Sequence, residues 1–201
     1  KEPDQHPVTE LFLVFIAACL ANNLLLDYLI GVGAVFAVAR TIETAAGMSA
    51  AMLMILPITC LCCHFLKLYI LSPLHLEFLL LPGFVIVVSL ITVTIEFLIK
   101  KYKPSLHEKI SVFVPLLLVT SVLLGAALLE VQTQQGLLTS IFFGIGTALG
   151  FGLVLVIFAT MRKRIDAADV PIAFQGASIL LITLAIVAMA FMGFTGITNG
   201  N

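Results

Sequence analysis

Residues 138–161 read LTSIFFGIGTALGFGLVLVIFATM, and this stretch, which has no charged side chain, decides the fold class. A helix of about 20 apolar residues crosses the hydrocarbon core of a bilayer. Lipid offers no hydrogen bonds, so a spanning backbone has to pair its own groups in helices or closed barrels. The stretch lacks the period-two alternation of a barrel strand. It therefore predicts a transmembrane α-helix.

Five more apolar runs flank this one. They lie at 11–31, 47–71, 78–99, 110–130 and 174–196. The whole chain of 201 residues is 61% hydrophobic and only 10% charged, whereas a soluble domain carries about 25% charged residues. The sequence therefore predicts an all-α integral membrane domain of six transmembrane helices over 11–197, preceded by an exposed polar tail over 1–10.

The ionisable residues exclude several other classes of function. A net charge of −1 gives no basic field for nucleic acid. The four cysteines lie in apolar segments, where free Cys usually packs as a small hydrophobe, and they are Cys19, Cys60, Cys62 and Cys63. The histidines are scattered without metal-ligand spacing. No nucleophile–base pair appears either, so we expect neither a metal site nor catalysis by this chain alone.

The basic residues set the predicted orientation. Eight of the ten lie in the joints after the first, third and fifth runs, and they are Arg40, Lys100, Lys101, Lys103, Lys109, Arg162, Lys163 and Arg164. Loops rich in Lys and Arg stay in the cytoplasm. We therefore expect a multi-pass membrane protein with both termini outside.

The six runs divide into two halves of three, at about 11–103 and 104–197. An odd number of spans makes the second half enter from the opposite face, which predicts an inverted repeat. The segment Leu20–Leu26 echoes Leu118–Leu124. The echo places four polar residues at matching depth, which are Asn22, Asn23, Thr120 and Ser121. Two readings stay open: broken helices on an ion path, or ordinary polar contacts between helices.

Three charged residues fall within or near the predicted spans, where each needs a partner, a cavity or an interfacial position. Asp27 is a candidate proton or sodium acceptor if it points inward, or an interfacial acid if the first helix ends early. Glu96 is a candidate cation gate or the partner of Lys100, four residues further on. We expect Lys67 to extend its long stem to the membrane interface.

Two further segments suggest contacts. Small residues at 144–152 predict a face for close helix packing, and they include Gly144, Gly146, Gly150 and Gly152. The charged joint at 162–169 either sets topology or docks a cytoplasmic partner. Its docking candidates are Arg162, Arg164 and Asp169.

Several motifs together resemble one family. They are NNLLL at 22–26, IETAAGM at 42–48, FVPLL at 113–117, RKRIDAADVPIAFQG at 162–176 and AFMGF at 190–194. The sequence resembles the RnfA/NqrE type of subunit from about residue 11 to 197. The resemblance implies a core component of a membrane-bound, ion-translocating oxidoreductase complex. It also implies an inverted RnfE/NqrD-like partner and, between the two proteins, a shared two-iron, two-sulfur cluster to which each gives two cysteines.

The chain departs from that family at the implied cluster positions. Aligning the motifs puts Gly33 at one cysteine position and Ser121 at the other. Neither replaces a thiolate ligand, so we predict no cofactor for this chain and a scaffold or ion-path role. Two alternatives stay open. One is a cluster held by the partner or relocated to Cys60 and Cys63, and the other is a stand-alone secondary transporter.

Overall fold

The computed structural model describes residues 7–102, 121–132 and 136–194. Every regular element in these ranges is helical, which confirms the predicted all-α class for them. The α-helices are α1 Pro7–Ile16, α2 Leu24–Asp27, α3 Val32–Val38, α4 Ile42–Leu66, α5 Leu80–Tyr102, α6 Ser121–Gln132, α7 Leu137–Asp166 and α8 Ala177–Met192. Two π-helical turns extend α1 and α4, at Ala17–Ala21 and Lys67–Leu71, and two 3₁₀ turns lie at Glu77–Leu79 and Ile172–Phe174.

Three described helical stretches are long and apolar enough to cross a membrane, and they are Ile42–Leu71, Glu77–Leu98 and Leu137–Asp166. Three shorter apolar helices accompany them, at Leu11–Ala21, Ser121–Gln132 and Ala177–Met192. Each of the six predicted runs thus contains a helix. The fourth run before Ser121, including Thr120, lies outside the described residues, and the six-span inverted repeat stays a prediction.

The run predicted as the first span is not one continuous helix. Its helix ends at Ala21, and α2 and α3 follow as separate short elements. Gly31 takes φ of 93°, and an added Cβ there would collide with the Val122 side chain. Leu29 also has positive φ, 55°. The chain turns here because Gly31 permits both the left-handed backbone and the close approach.

Helix α4 begins at Ile42, five residues before the predicted run at 47. Thr41 and Thr44 form a reciprocal capping box, in which each hydroxyl accepts from the other residue's backbone N–H. Such a cap satisfies two of the unpaired donors at a helix start. Residues 42–46, which lie before the predicted run, therefore form the start of the helix and not part of a joint.

Helix α7 occupies the centre of the described core, and its contact with α4 is the most extensive between any two described helices. A Cβ on Gly144 would lie 2.7 Å from the Pro57 Cα, and one on Gly152 would lie 2.8 Å from the Ser49 Cβ. A Cβ on Gly146 would lie 2.7 Å from the Phe15 carbonyl oxygen. The predicted small-residue packing face is confirmed, and it contacts helices on two sides.

Helix α5 lies at the periphery. Of the 18-residue apolar stretch that could cross a membrane here, only 17% is buried inside the protein, compared with 56% for the corresponding stretch of α7. Its outward side chains are large and apolar, and they include Leu81, Val85, Ile86, Leu90, Val93 and Phe97. A surface of this kind suits lipid or another membrane protein.

Candidate functional site

Asn23 builds the break in the first helix. Its side chain is 1% exposed. The Nδ2 group donates to the Cys19 carbonyl at 3.2 Å, and Oδ1 accepts from the Leu25 backbone N–H at 3.1 Å. The Asn23 side-chain amide thus pairs with a backbone carbonyl of the π-helical turn and with a backbone N–H at the start of α2. Asn22, by contrast, is exposed, so the pair does not act as one polar unit.

Helix α7 packs directly on this break. A Cβ on Gly150 would collide with the Cys19 carbonyl oxygen and lie 2.9 Å from Asn23 Nδ2. Only a residue without a side chain lets the two backbones come this close. The break is therefore held in place from inside the core, not at a lipid-facing surface.

The two implied cluster positions are both on the surface. Gly33 lies in α3, where an added Cβ would meet no atom within 4 Å, and Ser121 is exposed at the start of α6. An exposed place suits a ligand shared with a partner protein. However, glycine has no ligand atom and a serine hydroxyl is a poor substitute for thiolate. The residues present at these two positions do not fit an iron–sulfur cluster.

The proposed replacement thiols are in a different environment. Cys60 and Cys63 are fully buried in α4 as part of the hydrophobic core, while Cys19 and Cys62 are partly buried. All four are free thiols, and within the described residues no three His, Cys, Asp or Glu side chains group as metal ligands. The Cys60 and Cys63 side chains pack against other buried apolar residues of the core.

The acidic candidates are apart from this core. Asp27 is exposed at the end of α2, and Glu96 is half-buried on α5. Within the described residues no ion pair joins Glu96 to Lys100. Asn22, Asn23, Asp27, Glu96 and Ser121 thus do not form one hydrogen-bonded site there, and their role on an ion path stays a prediction.

Sequence reasoning missed a polar cluster at the opposite end of α4. Glu130, on α6, is 1% exposed. Its Oε1 atom lies 2.9 Å from His64 Nδ1 and accepts a hydrogen bond from the Ser140 hydroxyl of α7. Three helices thus place polar groups around one buried carboxylate. The signal was available, because Glu130 ends one predicted run and His64 lies near the end of another that finishes on the same side.

Lys67 belongs to the same region, and its predicted reach to the membrane interface stays a prediction. Its Nζ donates to the Val131 carbonyl at 2.9 Å. That carbonyl lies in the last turn of α6, where backbone acceptors lack helical partners and the helix dipole favours a cation. This hydrogen bond therefore joins the π-helical turn that extends α4 to the end of α6.

A cleft of about 1040 Å³ opens beside this cluster. Its polar lining comes from His64, Lys67, Ser72, Glu77 and Gln132, and apolar side chains such as Phe78 and Leu81 complete it. Glu130 itself does not line the cleft. His64 does, so His64 lies between the cleft and the buried carboxylate.

The charged joint after α7 has one internal contact. The Arg162 guanidinium donates to the Phe36 carbonyl at 2.9 Å and so joins α7 to α3. Arg164 and Asp169 are exposed. Their part in docking a partner stays a prediction, while Arg162 also has a structural contact.

Known proteins match the chain along nearly its whole length. A family model described as "Rnf-Nqr subunit, membrane protein" matches residues 11–198. The RnfA protein of the ion-translocating oxidoreductase complex of Vibrio vulnificus is 40% identical over 192 residues, which is 96% of this chain and 100% of that protein. The corresponding proteins of Pseudomonas aeruginosa strain LESB58 and Alkalilimnicola ehrlichii are 41% and 39% identical with the same coverage. This chain belongs to the Rnf-Nqr family of membrane subunits.

Proposed function

We propose that this chain is the RnfA-type core membrane component of an ion-translocating oxidoreductase complex. The observation that carries the proposal is 40% identity over the full length of relatives that bear that name. Because this identity extends over 96% of the chain, it favours the same assembly role over a stand-alone transporter. The partner we infer is an inverted RnfE/NqrD-like protein in a bacterial-type inner membrane, with both termini of this chain outside.

Within that complex we infer a scaffold or ion-path role without an intramembrane cluster held by this chain. The support is chemical: Gly33 offers no ligand atom, and Ser121 offers only a hydroxyl. The surface position of both residues also agrees with a former contact to the partner. Electron transfer, where the assembly performs it, would use groups on other subunits.

Co-purification tests the assembly. A tagged chain extracted from its native membrane in mild detergent is expected to carry a second Rnf-Nqr-family membrane protein in equal amount. Recovery of the chain alone, with substrate-dependent uptake into liposomes by that purified chain, would instead establish the transporter alternative.

Iron content and electron paramagnetic resonance of the purified complex test the cluster. We expect the spectrum to stay unchanged when Cys19, Cys60, Cys62 and Cys63 are all replaced by Ala. Loss of a cluster signal in that variant would mean that the chain holds a cluster through relocated ligands. A Gly33→Cys/Ser121→Cys variant provides the positive control, because it supplies two thiols at the implied positions.

A further inference from the structure

The buried carboxylate of Glu130 is the least expected group in this core. Its α6 neighbours Ala126, Ala127 and Val131 are buried apolar residues. Taking a charged carboxylate out of water is costly unless hydrogen bonds or an opposite charge compensate. Both the His64 ring nitrogen and the Ser140 hydroxyl supply that compensation at the same oxygen, Oε1. Glu130 is therefore the centre of a specific polar site inside the core, held by partners from two other helices.

Among the described residues, the His64 side chain lies between the cleft and this carboxylate. The His64 side chain is 13% exposed and lines the cleft, whereas that of Glu130 is 2% exposed and does not. Imidazole has two nitrogens and can accept a proton at one while releasing a proton from the other. Since Nδ1 faces Glu130, Nε2 is the nitrogen left to exchange with the cleft.

The surrounding charges favour a proton over a larger cation. In the π-helical turn that extends α4, the Lys67 ammonium lies one turn beyond His64 and donates to the carbonyl of Val131, next to Glu130. The Cys60 and Cys63 thiols lie on the same helix, and Ser140 faces the carboxylate from α7. Glu77 lines the cleft from the joint before α5. A fixed positive charge this near opposes entry of a metal cation, but a proton can be taken up by the pair itself.

We propose that Glu130 and His64 form a proton-exchange site that opens to the cleft. A proton from water in the cleft binds His64 Nε2, and the Nδ1 proton passes to Glu130 Oε1. The products are a neutral imidazole with its proton on Nε2 and a neutral carboxylic acid, so one proton and one positive charge enter the site. Release reverses both transfers. The proposal goes beyond the assembly role and uses none of the residues considered for an ion path above.

Infrared difference spectroscopy on the purified full chain in lipid nanodiscs tests the site. Between high and low pH we expect a carbonyl-stretch band of a newly protonated, buried carboxylic acid. Glu130→Gln should abolish that band, and Ser140→Ala should shift its frequency because the carboxyl loses a hydrogen bond. Glu77→Gln, which removes an exposed carboxylate from the same cleft, is the matched control and should leave the band in place.

His64→Gln tests the relay, because glutamine keeps a hydrogen-bond donor but does not carry a proton. After a pH jump, the Glu130 band should rise more slowly by about tenfold or more in this variant, as positioned acid–base groups speed proton transfer. A band that persists in Glu130→Gln, or an unchanged rate in His64→Gln, would overturn the proposal.

If Glu130→Gln fails to fold, a measurement on the unaltered chain still tests the proposal. In the unaltered chain, nitrogen NMR of labelled histidine should show the His64 proton moving from Nδ1 to Nε2 as the infrared band rises, because the proposed transfers exchange its tautomer. A His64 signal that does not respond to pH would also overturn the proposal. All these measurements use the chain alone, so their failure would not bear on co-purification, nor the reverse.

Discussion

Asn23 shows how a single amide stabilises a helix break inside an apolar core. A buried backbone group without a partner costs about 1–3 kcal/mol. The Asn23 side chain serves one carbonyl before the break and one N–H after it. Its neighbour Asn22 is exposed, although the sequence presents the two as equivalent.

Asn23→Ala should lower the free energy of unfolding by about 1–2 kcal/mol, since capping asparagines contribute about this much. Asn22→Ala is the matched control and should change stability by less than about 0.5 kcal/mol, as exposed sites do. Thermal unfolding of both purified variants in the same detergent provides the comparison. Equal losses would mean that the break does not depend on the Asn23 hydrogen bonds.

The His64–Glu130 contact should appear as a coupling energy. In a double-mutant cycle with His64→Phe and Glu130→Leu, we expect an interaction of about 0.5–3 kcal/mol, the range for directly bonded residues. Each single change leaves a buried polar group facing an apolar one. The double variant should therefore be more stable than the sum of the single losses predicts. Additive losses would contradict a direct pair.

The sequence places these two residues toward the same side of the membrane, but it could not pair them, because they are 66 residues apart. Helix periodicity relates residues three or four positions apart, and it says nothing about which helix faces α4. Glu130 also ends an apolar run, where an acidic residue is ordinarily interfacial. The contact becomes visible only once α4, α6 and α7 are packed together.

At the scale of helices, the two-sided face of α7 organises the core. Gly144 and Gly152 are eight residues apart and both contact α4, whereas Gly146 and Gly150 contact the first helix and its π-helical turn. Eight residues correspond to a little more than two helical turns, so the first pair lies on one stripe. This spacing fixes the rotation of α7 relative to both neighbours.

Gly150→Ala should destabilise the protein by about 1–3 kcal/mol, because its Cβ would overlap a backbone carbonyl that cannot move aside alone. Gly33→Ala is the control, since it also replaces a helical glycine but meets no atom. There we expect a gain of up to about 1 kcal/mol from helix propensity. Chemical unfolding monitored by circular dichroism measures both, and a loss at Gly33 equal to that at Gly150 would refute the packing argument.

The long helices could be predicted from hydrophobicity alone, but the short ones could not. Runs at 47–71, 78–99 and 138–161 correspond to helices that are long and apolar enough to cross a membrane, because a backbone in lipid has to pair its own groups. Helix α3, Val32–Val38, has only seven residues. A helix that short depends on tertiary packing, which no local pattern records. The start of α4 at Ile42 was equally hidden, because its capping box uses threonines that look like a joint.

Across the whole molecule, α7 is buried in the core and α5 lies at the periphery. Helix α5 therefore faces the surroundings of the protein, where lipid or another membrane protein would contact it. The basic residues add a direction to this arrangement, since Lys67 alone among the described basic residues lies at the end of the helices where the cleft opens. The positive-inside rule predicts that this end lies outside. The cleft would then face the compartment opposite the cytoplasm.

Reporter fusions check this orientation. Alkaline phosphatase, which is active only outside, should be active when fused after Asn201, and green fluorescent protein should remain dark there. Insertion of the same reporters between Ala167 and Ala168 should give the reverse pattern, because that joint carries the basic group 162–164. The same reporter result at both places would contradict an odd number of crossings between them.

The contact between α4 and α7 also has a consequence for how the protein is made. About 70 residues separate the end of α4 from the start of α7, and ribosomes add about 5–20 residues per second. For several seconds after α4 is synthesised, the surfaces around Ser49 and Pro57 therefore lack the helix that covers them. Biosynthesis leaves the amino-terminal half in the bilayer as an incomplete core during that interval. Insertion factors that shield a nascent helix would act on this chain at that stage.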